Sequence, residues 1–124
     1  MAIKANLTID QGADFTATVD VKQADGQAFN LTNHTARGQM RKNFSTTTVT
    51  AAFVCTVPNP TLGQITLKLP NANVVDGATV TQVGTNSIEP GRYLYDIEIE
   101  DNSVPAIVTR VVQGTITVTG GITR

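Results

Sequence analysis

The chain has 124 residues, enough for one ordinary domain that buries roughly two thirds of the surface its unfolded form exposes. Hydrophobic residues make up 40% and charged residues 15%, with a formal net charge of -1, so a core is available whereas a cationic surface for nucleic-acid phosphates is not. The single cysteine, Cys55, has no partner for an internal disulfide, and no stretch approaches the ~20 apolar residues of a membrane span.

Cytosolic synthesis fits the lone cysteine, and residues 1–12 lack the apolar run and cleavage site of a signal peptide. Ile3, Ala5, Leu7 and Ile9 alternate with polar residues, and Phe15, Ala17, Val19 and Val21 do the same after Gln11 and Gly12. Period two of this kind predicts strands with one buried face. Asp25 and Gly26 supply a tight turn, and a third strand follows near residues 35–42. A polar cluster at residues 45–48 precedes the alternation of Val49, Ala51, Phe53, Cys55 and Val57, which Pro58 and Pro60 stop because proline cannot donate to a ladder. Ile65, Leu67 and Leu69 form a short fifth strand.

Residues 70–89 show no clean periodicity and predict a long connection, a candidate interaction loop. Pro90 and Gly91 then open a strand through Tyr93, Tyr95, Ile97 and Ile99, and the last strand covers residues 107–118, where Gly114 is the expected site of a bulge. No segment has helical periodicity. About seven short strands at this spacing predict one all-β domain over residues 1–124, an immunoglobulin-like antiparallel β-sandwich.

The chemistry-bearing residues are few. His34, the only histidine, sits in a polar turn, and nucleophilic catalysis would require it beside a nucleophile. Cys55 shares a strand face with Phe53 and Val57, which makes it a small, inert hydrophobe. One cysteine and one histidine do not complete a zinc site. Asp96, Glu98 and Glu100 share one strand face, but carboxylates about 7 Å apart along a strand diverge instead of converging on calcium. Arg37, Gln39 and Arg41 carry the complementary pattern, so cross-strand ion pairs are the expected use of these acids. No catalytic, metal-binding or cofactor-binding residues are assigned, and the chain is read as a protein without enzymatic activity.

The segment Pro90, Gly91, Arg92, Tyr93, Leu94 and Tyr95 resembles the sixth strand of immunoglobulin-like domains, with Tyr93 as the corner tyrosine and Tyr95 at the buried position. A wider resemblance runs through the stretches 9–15, 31–32 with 36–41, 63–67 and 91–98 with 108–114, in that order. It is similar to the immunoglobulin-like domains of tailed-bacteriophage virion proteins, including the N-terminal domain family of upper baseplate proteins. The connection at residues 70–89 is longer than usual for that family. The resemblance implies a non-enzymatic virion structural protein, either an assembly or attachment subunit of the tail, neck or baseplate or a capsid decoration protein.

The implied location is the virion, assembled in the bacterial host cytoplasm, with other virion proteins as partners, no nucleic acid and no membrane. A chain that ends at Arg124 is expected to be a stand-alone subunit. Its weakly guarded first and last strands, as sheet edges, predict self-association or docking. The alternative is a carbohydrate-binding or adhesin module with its sugar site in residues 70–89, although the chain has no tryptophan.

Overall fold

Alternating Thr, Val and Ile residues resolve into ten strands in the computed structural model, which describes residues 3–43 and 45–120. Arg124, on which the stand-alone expectation rests, lies outside the described residues. In chain order the strands are β1 (Ile3–Lys4), β2 (Leu7–Asp10), β3 (Phe15–Asp20), β4 (Thr35–Arg41), β5 (Ala51–Thr56), β6 (Gln64–Leu69), β7 (Val74–Asp76), β8 (Thr79–Gln82), β9 (Gly91–Glu100) and β10 (Val108–Thr119). Short 3-10 turns occupy Pro60–Leu62 and Thr85–Ser87.

The main sheet runs β1-β10-β9-β4-β5-β6-β3, with β2 also on β10. Strand β5 explains how this single sheet becomes two layers. Its first half pairs with β4 through Ala51, Ala52 and Phe53, and its second half pairs with β6 through Val54, Cys55 and Thr56. The sheet therefore folds over at β5 into an all-β, immunoglobulin-like sandwich. Phe53 sits at the fold, its ring centroid 6.1 Å from Phe15 of one layer and 6.2 Å from Tyr95 of the other.

The core follows from the alternation. Met40, Ile97, Ile99, Val112 and Ile116 face Ile65, Leu67, Leu69 and Val19 from the opposite layer, all buried. Each such side chain contributes roughly 1.5 to 3 kcal/mol by leaving water. Along β9 the burial pattern alternates without a break from Tyr93 to Glu100.

Four expectations need correction. The last strand is not an edge: β10 lies between β9 and the N-terminal strands, which pair with it in parallel. Gly114 does not mark the bulge, which falls between Arg110 and Val112. There Val111 is the extra residue, and both Val111 and Val112 are buried. The bulge is needed because Arg110 must face out while Val112, Ile116 and Val118 face in, a phase that unbroken alternation cannot supply. Gly114 instead lets the N-terminal segment approach, since a Cβ there would collide with the Ala5 carbonyl oxygen. Finally, residues 70–89 contain a β-hairpin, β7-β8, that forms a second small sheet. The N-terminal alternation is also split, because β1 and β2 are separated at Ala5 and Asn6.

Candidate functional site

The outer face of β4, β9 and β10 carries the charged residues singled out in the sequence. Strand register places Arg37 opposite Glu98 and Gln39 opposite Asp96. Arg37 Nε donates to Glu98 Oε1 at 3.1 Å, and its Nη1 lies 3.6 Å from Glu100 Oε2. Asp96 takes a different partner, Arg110 Nε at 3.1 Å, supplied by β10. Arg41 turns away from the acids and donates to the Thr46 carbonyl oxygen at 3.0 Å and to Gln39 Oε1 at 3.2 Å. The acids are thus divided between two guanidinium groups. Among the described residues no group of three or more His, Cys, Asp or Glu side chains is placed to hold a metal ion.

Beside these pairs lies an open depression of about 620 Å³, bordered by Lys4, Arg41, Leu94, Asp96, Arg110 and Gln113. Its charged groups come from four strands: Asp96 and Arg110 are paired with each other, and Arg41 is held by the Thr46 carbonyl oxygen and Gln39. Exposed ion pairs of this type contribute roughly 0 to 1 kcal/mol each, so they serve register more than stability.

Both tyrosines are occupied inside the fold. Tyr93 is 2% exposed and its hydroxyl donates to the Glu89 carbonyl oxygen at 2.7 Å, the corner geometry expected of it. Tyr95 is 4% exposed and donates to the Ala5 carbonyl oxygen at 2.6 Å. Neither ring is available as a platform for a sugar. His34 Nδ1 is 3.0 Å from the Thr32 carbonyl oxygen and its ring meets Phe29 edge-on. Cys55 is half-buried, and burial pushes its thiol up to about 11, away from the reactive thiolate.

The segment 70–89 is fastened to the turn before β3 by groups that the sequence reading did not assign. Thr85, fully buried, donates its hydroxyl to the Ala13 carbonyl oxygen at 2.7 Å and accepts from the Gly12 amide at 3.2 Å. Gln11 Nε2 donates to the Ile88 carbonyl oxygen at 2.9 Å, and both the backbone and side-chain nitrogens of Asn71 donate to Asp14 Oδ1. The stretch from Gln11 to Asp14 therefore clips two distant turns together. Its polar residues next to a glycine were the available signal. The hairpin itself was signalled by Asp76 and Gly77 between valines, a pair that provides the positive φ of a tight turn; Gly77 has φ 64°.

The hairpin also builds a surface. Gln82 Nε2 donates to the Ala52 carbonyl oxygen at 2.7 Å, holding β8 against β5. Between hairpin and sheet runs a groove of about 480 Å³, with Thr16, Lys68 and Val54 on one side and Val74 and Gln82 on the other. Val54 and Val74 are exposed there, and Val75 and Val80 are exposed elsewhere on the hairpin. A second exposed apolar group, Val104, Ile107 and Val108, lies at the connection between β9 and β10.

No protein-family model matches this chain, and no curated protein matches it. Among solved structures, one similar chain is a nucleoside hydrolase-related hypothetical protein from Saccharophagus degradans that is associated with carbohydrate metabolism. The two share 13% identity with a TM-score of 0.33, and the match covers 92% of this chain and 22% of that one. A likeness this loose carries no argument about function.

Proposed function

We propose that this chain is a non-enzymatic structural subunit of a tailed-bacteriophage particle, engaged in assembly or attachment at the tail, neck or baseplate or in decoration of the capsid. The observation that supports a contact-making role is the pair of exposed apolar groups, Val54 with Val74, Val75 and Val80, and Val104 with Ile107 and Val108, on a weakly charged surface. Exposed apolar side chains are the groups that a protein partner would cover. The phage assignment is supported by the order of the resembling sequence stretches, several of which acquire structural roles: Gln11 to Asp14 in the clip, and Tyr93 at the corner.

The carbohydrate-binding reading is weakened by the burial of Tyr93 and Tyr95. The test is mass spectrometry of purified phage particles from a lysate in which this chain is made, together with immunogold labelling. A stoichiometric chain located at one part of the particle is the expected result. Its absence from purified particles, with the chain left in the soluble lysate, would overturn the reading.

A further inference from the structure

Strand β3 ends the sheet, and among the described residues only one of its sides is paired. It joins β6 in an unbroken antiparallel register from Phe15 with Leu69 to Asp20 with Gln64. The Val21 amide continues that ladder by donating to the Gly63 carbonyl oxygen at 2.7 Å. Antiparallel pairing alternates, so Phe15, Ala17 and Val19 also point their backbone groups at β6. The N–H and C=O groups of Thr16, Thr18 and Asp20 consequently point toward the free edge.

This edge lacks the usual protections. It has no proline, no lysine and no bulge, and Asp20 is its only charged residue. The opposite edge, by contrast, is interrupted at Ala5 and Asn6 and carries Lys4. Ala17, whose side chain belongs to the inner face, stays partly exposed at the open side.

We propose that two copies of this chain pair through β3, antiparallel about a two-fold axis at Thr18, joining their layers into one continuous sheet. The sequence selects this register. With the axis at Thr18, the two Thr18 residues exchange backbone hydrogen bonds, and Thr16 of each copy does the same with Asp20 of the other. All the outward-pointing groups are then used. On the inner face Ala17 meets Val19 and Phe15 meets Val21, so the apolar surface continues across the junction.

Other registers fail on identifiable grounds. An axis at Asp20 sets like charges directly opposite each other. An axis at Thr16 brings in Asp14, whose carboxylate already holds Asn71, and lays the second copy against that turn. An axis at Ala17 pairs Thr16 with Thr18 but leaves Asp20 without a partner in β3, and an axis at Val19 likewise leaves Thr16 without one, so both form fewer hydrogen bonds. An axis between residues sets inward side chains against outward ones.

The experiment is sedimentation velocity over a concentration series on the whole chain, with far-UV circular dichroism as the folding control. The wild type should show a reversible monomer–dimer equilibrium. Thr18→Pro removes an N–H that no bond among the described residues uses, so it should keep the fold and weaken dimerisation at least tenfold. Thr18→Lys, which serves where the proline variant does not fold, places two ammonium groups together at the axis. Its dimer should be lost at low salt and partly recovered at high salt. A wild type that stays monomeric throughout, open-ended oligomers, or a dimer unaffected by the substitutions would overturn the proposal.

Discussion

The Tyr95 hydroxyl and the Ala5 carbonyl oxygen form a 2.6 Å hydrogen bond between residues 90 positions apart, tying the start of the chain to its central strand. Gly114 makes room for it, since a side chain there would strike the same carbonyl group. Ala5 in turn donates its amide to the Gln113 carbonyl oxygen at 3.0 Å. Gly114→Ala should therefore displace the N-terminal segment and destabilise the fold by about 1 to 3 kcal/mol. Denaturant midpoints read the cost, and hydrogen exchange should show early loss of protection at Ala5 while the middle of β9 stays protected.

The two faces of β9 should respond very differently to substitution. Ile97 is fully buried, so Ile97→Ala should cost about 2 to 5 kcal/mol through lost transfer energy and a cavity. Glu98→Gln, at an exposed pair with Arg37, should cost under ~1 kcal/mol. Tyr93→Phe keeps the ring and removes only the bond to Glu89, an expected loss of roughly 0.5 to 1.5 kcal/mol. Urea titration of the three variants side by side checks this order.

Thr85→Val is nearly isosteric but removes a buried hydroxyl that serves both Ala13 and Gly12. Leaving those groups without it should cost about 1 to 3 kcal/mol. Limited proteolysis should then cut within residues 70–89 sooner than in the wild type, whereas Thr79→Val, on the exposed hairpin, should leave cleavage unchanged.

Alkaline pH should destabilise the fold. Burial raises the Cys55 thiol from 9.0 to about 11 and the Tyr95 phenol from 10.0 to about 12. Both groups ionise more readily in the unfolded chain, so their contribution is complete below pH 9 and is lost as pH rises through the folded values. Thermal midpoints should stay level to about pH 9 and then fall, with Cys55→Ala removing the earlier part of the decline. Native Cys55 should react with iodoacetamide at pH 8 much more slowly than in urea, because the thiolate is the nucleophile.

Much of this architecture was legible in local pattern. Alternation located β3, β4, β5, β6 and β9 and identified which side chains face inward, because a strand repeats every two residues whatever surrounds it. The Arg37 pairing with Glu98 was legible for the same reason, as both outward faces carried complementary charge at matching period. Arg110 as the partner of Asp96 was not, since it depends on which strand lies on the other side of β9 and on the bulge at Val111. Thr85 and Gln11 were likewise hidden. Each is an ordinary polar residue until folding buries it beside a distant backbone group.

The sequence by itself determined that the chain is all-β, where β3, β4, β5, β6 and β9 run and which faces they bury, because those properties are set by side-chain chemistry at short range. Only the tertiary structure decided that β5 divides its pairing between two layers, that β10 is interior, and that β3 is left as the open edge. Strand neighbours depend on which backbone hydrogen-bonding groups remain free after all other strands have packed, and every strand offers the same groups. No local pattern distinguishes an edge from a centre when both are written in threonine and valine.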